Sequence, residues 1–229
     1  MRRALGSALI LLAALSDPAA AHHVGVFIPK DDDITRNLKE IRFAAEAGRP
    51  ELAVKLFDEG IVHTTMEKEG TRLPRGLEDG LRAALHRQDR PGTEIRLAIV
   101  LAFLTRERLS DARARIDRAD LRPERRREQA RKLINAAWRY YNLADFVITA
   151  QDARTGVALR IGFEDAQTYL GGMMVDPMWA AAANAKPAAP DEGKATAVID
   201  GMVRVLARFM ANAARIARAG QAGRFLPRR

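Results

Sequence analysis

The sequence contains no cysteine. This absence excludes thiolate catalysis, zinc sites with cysteine ligands, iron–sulfur clusters and covalently attached c-type haem. It also excludes disulfide bonds. A chain of 229 residues does not need them for stability, because it can bury a substantial core. A cysteine-free chain of this size is compatible with an oxidising compartment such as a bacterial periplasm.

Long apolar runs and catalytic signatures are also scarce. The apolar stretch near the amino terminus is too short to cross a bilayer, and no later stretch is long enough. The sequence has no nucleophile elbow, P-loop, dinucleotide-binding fingerprint or His-Glu-x-x-His pattern. These absences favour a protein that is neither an enzyme nor anchored by a membrane-spanning helix.

The beginning of the chain has the pattern of a secretion signal. Two arginines, Arg2 and Arg3, precede an apolar stretch and a run of three alanines that ends at Ala21. A charged region, an apolar region and a small-residue cleavage site follow one another in this order in secretory leaders. We therefore expect export to the periplasm and cleavage after Ala21, which leaves His22 and His23 at the new amino terminus.

Basic residues outnumber acidic residues, 38 against 29, for a formal net charge of +9. Because the leader predicts export, nucleic acid is not an expected partner. The excess charge favours an anionic membrane surface, an acidic exported protein partner or solubility alone, and composition does not separate these three. The sequence does not indicate an oligomeric state.

Apolar periodicity predicts an all-α fold, either a multi-helix bundle or an irregular stack of helical hairpins, with a short extended amino-terminal segment after the signal peptide. We expect Asp31–Asp33 to cap the first helix and residues 97–104, apolar all round, to lie in the middle of the core. Ser110 and Asp111 predict the start of a separate short helix. The predicted organisation is a signal peptide over 1–21, a helical domain over 22–172, a Met-, Ala- and Pro-rich linker over 173–190, and a basic amphipathic helix with a frayed tail over 191–229.

Two groups of residues are candidate copper ligands. An amino-terminal histidine offers its amine and its imidazole to one metal ion, so His22 and His23 would form a chelate that copper favours. The thioethers of Met173, Met174 and Met178 suit copper(I). The alternative for the histidines is a solvated pair without a role. The alternative for the methionines is an apolar linker in which they fill a groove.

His63 lies on the apolar stripe of its predicted helix, which sets it apart from the other histidines. Glu59 and Glu67 stand four residues on either side, so a helix that continues through Gly60 would place three metal-ligating side chains on one face. The alternative is that the two glutamates orient a structural histidine, or that Gly60 breaks the helix.

Asp145 falls within the apolar stripe of a long predicted helix that starts at Pro123, and a core-facing carboxylate needs a partner. If the next helix packs antiparallel, Glu164 and Asp165 approach Asp145 and the three acids form a site for a hard cation or iron. The alternative is an ion pair or hydrogen bond that sets the helix register, with its partner among Arg160, Tyr140 and Tyr141.

The last predicted helix carries a basic stripe on the face opposite its apolar residues: Arg204, Arg208, Arg215 and Arg218. Such a helix can lie on anionic lipid or dock in a partner's groove, and it can also pack back onto its own bundle.

We therefore expect an exported, non-enzymatic helical protein that binds a transition metal, copper ahead of iron. His22 and His23 are the primary predicted ligands, with His63 or the carboxylates as further ligands. The competing hypothesis is an interaction scaffold that holds another exported protein or an anionic membrane surface. A third hypothesis is a copper-dependent oxidative enzyme that uses the terminal histidine chelate.

Overall fold

The computed structural model describes residues 31–172 and 189–222, which form helices without a strand. The predicted all-α fold is confirmed. The predicted leader, His22, His23, the extended segment and residues 173–188 of the predicted linker lie outside the described residues. The helices are α1 (Asp33–Glu46), α2 (Pro50–Asp58), α3 (Ile61–Lys68), α4 (Leu77–His86), α5 (Arg90–Ile116), α6 (Pro123–Gln151), α7 (Ala153–Tyr169) and α8 (Glu192–Ala222).

Helices α5 to α8 form a four-helix bundle in which each helix packs on the next and α8 returns to α5. Neighbouring helices run antiparallel, as single contacts show. Gln167 of α7 donates to Asn135 of α6 at 2.7 Å, and Arg96 near the start of α5 donates to the carbonyl of Ala217 near the end of α8 at 2.9 Å. This up-down arrangement follows from short connections between long amphipathic helices.

Helix α5 is the centre of the molecule because α1, α4, α6 and α8 all pack on it. The predicted core run, residues 97–104, is buried along its whole length, which confirms its placement. The predicted short helix at Ser110 is wrong. Leu109, Ala112 and Ile116 continue the buried stripe of α5 at intervals of three and four residues, so the helix runs on to Ile116.

Helices α1 to α4 pack beside the bundle, with α1 and α2 forming a helical hairpin. The predicted acidic cap is confirmed, because Asp32 accepts the Thr35 N–H at 2.9 Å. Asp32 also accepts the hydroxyl of Tyr140 at 2.7 Å and so ties α1 to α6. Burial, together with this hydrogen bond, raises the pKa of Tyr140 to about 12.

Helix α8 packs its apolar face against α5 and α7, with Ile199, Met202, Leu206 and Phe209 buried. A Cβ atom added to Gly162 of α7 would lie 2.7 Å from the Met202 side chain, so the two helices approach closely there. The basic amphipathic helix therefore packs on its own bundle. None of the helices in the described ranges combines the length and the apolarity that crossing a membrane requires.

Candidate functional site

A groove with a volume of about 630 Å³ lies between the start of α7 and the second half of α8. Helix α6 ends at Gln151 and α7 begins at Ala153, so the chain turns at Asp152 without a loop. The turn places the start of α7, which forms the short wall of the groove, beside α8, which forms the longer wall. The lining residues are Gln151, Asp152, Arg154, Thr155, Ala158, Val205, Arg208, Phe209, Asn212, Ala213, Arg215 and Ile216.

Three exposed arginines give the groove its charge: Arg154 from α7, and Arg208 and Arg215 from α8. Within the described residues no carboxylate forms an ion pair with any of the three, and Arg215 donates to the Asn212 side chain at 3.1 Å. Three arginines that line one cavity and have no carboxylate partner among the described residues are an arrangement that favours negatively charged groups.

Among the described residues that line the groove, Asp152 is the one with a carboxylate, and that carboxylate already accepts hydrogen bonds within the protein. It caps α7 by accepting the Arg154 N–H at 3.0 Å and the Thr155 hydroxyl at 2.7 Å. The Thr155 hydroxyl group, followed by backbone hydrogen bonds, lowers the pKa of Asp152 and keeps it ionised. The described residues that line the groove therefore carry three positive charges against one negative charge.

The groove divides the predicted basic stripe of α8 into two pairs. Arg208 and Arg215 line it, whereas Arg204 and Arg218 are also exposed but lie outside it. Arg154 was missed by the sequence reasoning, because no local signal relates it to residues more than fifty positions away. The antiparallel packing of α7 and α8 brings it to the site.

The expected metal ladder around His63 is not formed. Gly60 has an extended backbone and separates α2 from α3, so Glu59 belongs to the end of α2. The buried side chain of Asn37 enters this break, accepting the Val62 N–H at 3.1 Å and donating to the Leu56 carbonyl at 3.0 Å. Asn37 thus satisfies backbone groups that an uninterrupted helix would have paired internally.

His63 is held in a polar cluster that joins α2, α3 and α4. Its Nδ1 lies 3.1 Å from the Asp58 carbonyl oxygen and its Nε2 lies 3.0 Å from Glu78. Glu67 is farther away, at 3.8 Å, and Arg82 binds both Asp58 and Glu78. Of the two alternatives to a metal site, the break at Gly60 is the one found, and the close carboxylate is that of Glu78, which the sequence reasoning did not propose.

Asp145 contacts Arg160 and Tyr141. Arg160 donates to both carboxylate oxygens, at 3.1 and 2.5 Å, and Tyr141 donates its hydroxyl to the same carboxylate. Burial acts to raise the pKa of Asp145, but the hydrogen bonds from Arg160 and Tyr141 outweigh it and lower the pKa. Burial and Asp145 raise the pKa of Tyr141. These contacts correspond to the alternative to a metal site, in which an ion pair or hydrogen bond of Asp145 sets the register of the helices.

The predicted acidic site is not assembled. Glu164 is exposed on α7 and Asp165 is half-buried. Across residues 31–172 and 189–222, no group of three or more histidine, aspartate or glutamate side chains is arranged to hold a metal ion. The other predicted ligands, His22, His23, Met173, Met174 and Met178, lie outside those ranges.

Comparison with known proteins adds no relative, because neither protein-family models nor curated proteins nor solved structures match this chain. The groove and the packing around it are therefore the basis for the functional proposal.

Proposed function

We propose that this protein is an exported, non-enzymatic helical scaffold that binds an acidic segment of a partner protein in the groove between α7 and α8. The observation that carries the proposal is the set of three exposed arginines that share one cavity and have no carboxylate partner among the described residues. The leader pattern of the first 21 residues supports export.

Charge complementarity favours an occupant from outside this chain. The parts of the chain beyond the described ranges contain two acidic residues, Asp17 and Asp176, and residues 223–229 carry three arginines without an acid. An internal segment would therefore bring little negative charge to the groove. A partner segment with several carboxylates matches it, because guanidinium groups bind carboxylates with two parallel hydrogen bonds.

The packing of α8 favours a protein partner over a lipid surface. An amphipathic helix binds a membrane by inserting its apolar face. In α8 that face is buried against α5 and α7, so insertion would require breaking the bundle. Surface charge alone would remain for binding lipid, and that attraction acts only within about a Debye length of the membrane surface.

The test compares two double variants of the full chain. Arg208→Ala with Arg215→Ala removes charge from the groove, and Arg204→Ala with Arg218→Ala removes the same charge from the same helix outside it. The probe is a fluorescently labelled, glutamate-rich flexible peptide, followed by anisotropy. We expect the groove variant to bind about 10-fold more weakly, since each tenfold change corresponds to about 1.4 kcal/mol, and the control to change by less than about threefold.

If both variants lost the same affinity for the peptide, the effect would be one of net charge alone, and the proposal would be contradicted. Vesicles of anionic lipid are the second arm of the same experiment. Tighter binding to the vesicles than to the peptide, unaffected by the groove substitutions, would favour the membrane-surface hypothesis instead.

We also propose a transition-metal site at the amino terminus of the processed protein, copper ahead of iron, which rests on His22 and His23 following the predicted cleavage site. Metal analysis of the exported, tag-free protein tests it. We expect about one copper ion per chain, lost in His22→Ala and retained in His86→Ala. Copper that survives His22→Ala and His23→Ala would refute this ligand set, and an oxidase activity dependent on His22 would favour the enzymatic hypothesis.

A further inference from the structure

The two groove arginines of α8 are separated by seven residues, from Arg208 to Arg215. Seven residues of α-helix rise by about 10.5 Å and rotate by nearly two full turns, so both arginines lie on the same edge of α8. Carboxylates repeated at about the same distance along one face of an occupant meet both arginines when the arginine side chains extend straight out from α8.

This distance suits a helix better than a strand. In a helix, residues i and i+7 share one face and lie about 10.5 Å apart. In an extended segment, side chains on one face repeat at about 6.6 and 13 Å, so the arginine side chains would have to lean along α8 to reach them. The spacing of the arginines thus favours a helical occupant that runs along α8.

The groove offers an exposed apolar side chain beside its charges. Phe209 and Ala213 also line it, but with 5% and 1% of their surfaces exposed they are already covered by the protein itself. Ile216, at one end, has 47% of its surface exposed, which is high for a large aliphatic side chain. An occupant with apolar residues on the same face as its acids would cover Ile216.

The opposite wall adds a third charge. Arg154 comes from α7 and faces the groove from the other side. A helix that lies between the walls would be held by guanidinium groups from both α7 and α8. The length of the α8 wall, from Val205 to Ile216, corresponds to about 16 Å, which is about three turns of such a helix.

Resting on the proposed function, we infer that the groove binds an amphipathic α-helix of a partner protein, with two carboxylates seven residues apart and apolar residues on the same face. This is the helix-in-groove mode of recognition, with a carboxylate–arginine pair at each end of the contact. It specifies the partner by a pattern that can be built into a peptide.

The experiment uses two side-chain-stapled peptides of about 14 residues with the same composition and helicity. One carries glutamates at i and i+7 with leucines at i+3 and i+4. The other carries the second glutamate at i+5, which is about 140° away around the helix. We expect the first peptide to bind the full chain at least about 10-fold more tightly, and this advantage to disappear in the Arg208→Ala, Arg215→Ala variant but persist in the Arg204→Ala, Arg218→Ala variant.

Equal affinity for the two isomers, with both dependent on Arg208 and Arg215, would overturn the helical inference and leave the acidic-partner proposal standing. Failure of both isomers, while the flexible glutamate-rich peptide still binds, would overturn the inference in the same way. Failure of all three peptides would overturn the proposed function as well.

Discussion

Single polar side chains join the helices at points where apolar packing alone would not select a register. Asp145 of α6 meets Arg160 and Tyr141, and Asn37 pairs the backbone groups left open at the break before α3. Arg96, with 3% of its surface exposed, donates to carbonyl groups of its own helix and of α8. Such groups are costly to leave unpaired in a protein interior, so the pairs specify one arrangement of the helices.

Asp145→Asn tests one of these ties through its pH dependence. The pKa of Asp145 is lowered in the folded protein, so its contribution to stability is present above the unfolded pKa of 3.8 and is lost as pH falls through the lower folded pKa. We expect the variant to be less stable than the parent by about 1–2 kcal/mol at pH 7 and the difference to shrink below pH 3.8. Urea unfolding at pH 7 and pH 3 measures this difference in the free energy of unfolding. A difference that is the same at both pH values would contradict a lowered pKa for Asp145.

Three helices end in the same backbone motif, in which the residue after the C-cap has a positive φ. The residues are Gly48 after α1, Gln88 after α4 and Gly171 after α7, with φ values of 68°, 53° and 72°. In each case the N–H of that residue and of the next one bond back to the last turn, as in the Gln88 and Asp89 bonds of 3.1 and 2.9 Å. Glycine adopts this conformation freely, whereas Gln88 adopts it at a cost.

Gln88→Gly should therefore stabilise the protein. We expect a gain of about 0.5–1 kcal/mol in the free energy of unfolding, because the left-handed conformation is unfavourable for residues with a Cβ atom. Gly48→Gln is the reciprocal control, since a Cβ atom at Gly48 has no neighbour within 4 Å and the substitution changes backbone conformational energy alone. Thermal unfolding of both variants checks the pair. A loss of stability in Gln88→Gly would show that the glutamine side chain contributes more than its backbone strain.

The bundle is closed by the last helix, which fills the gap between α5 and α7. Residues of α8 belong to the same buried cluster as those of the central helix, including Leu206 at 0% exposure. The helix is therefore part of the core, and its basic side faces outward to form one wall of the groove. A binding surface of this kind is rigid because the bundle beneath it supports it.

Leu206→Ala tests whether α8 unfolds together with the rest of the molecule. We expect a loss of about 2–5 kcal/mol in the free energy of unfolding, in a single transition seen alike by circular dichroism and tryptophan fluorescence. Arg204→Ala, at an exposed position on the same helix, should change stability by less than about 0.5 kcal/mol. Two separate transitions, with α8 unfolding first, would contradict a single cooperative bundle.

Helix content and the central place of residues 97–104 follow from local patterns, because apolar periodicity and caps act over three or four residues along the chain. The same local reasoning anticipated the cap at Asp32 and failed at Ser110, where the buried stripe continues. The partner of Asp145, the break that Asn37 fills and the meeting of Arg154 with Arg208 depend instead on how the helices pack. Those contacts join residues distant in the chain, and several packings of the same amphipathic helices satisfy the sequence pattern equally well, so the groove exists only in the folded bundle.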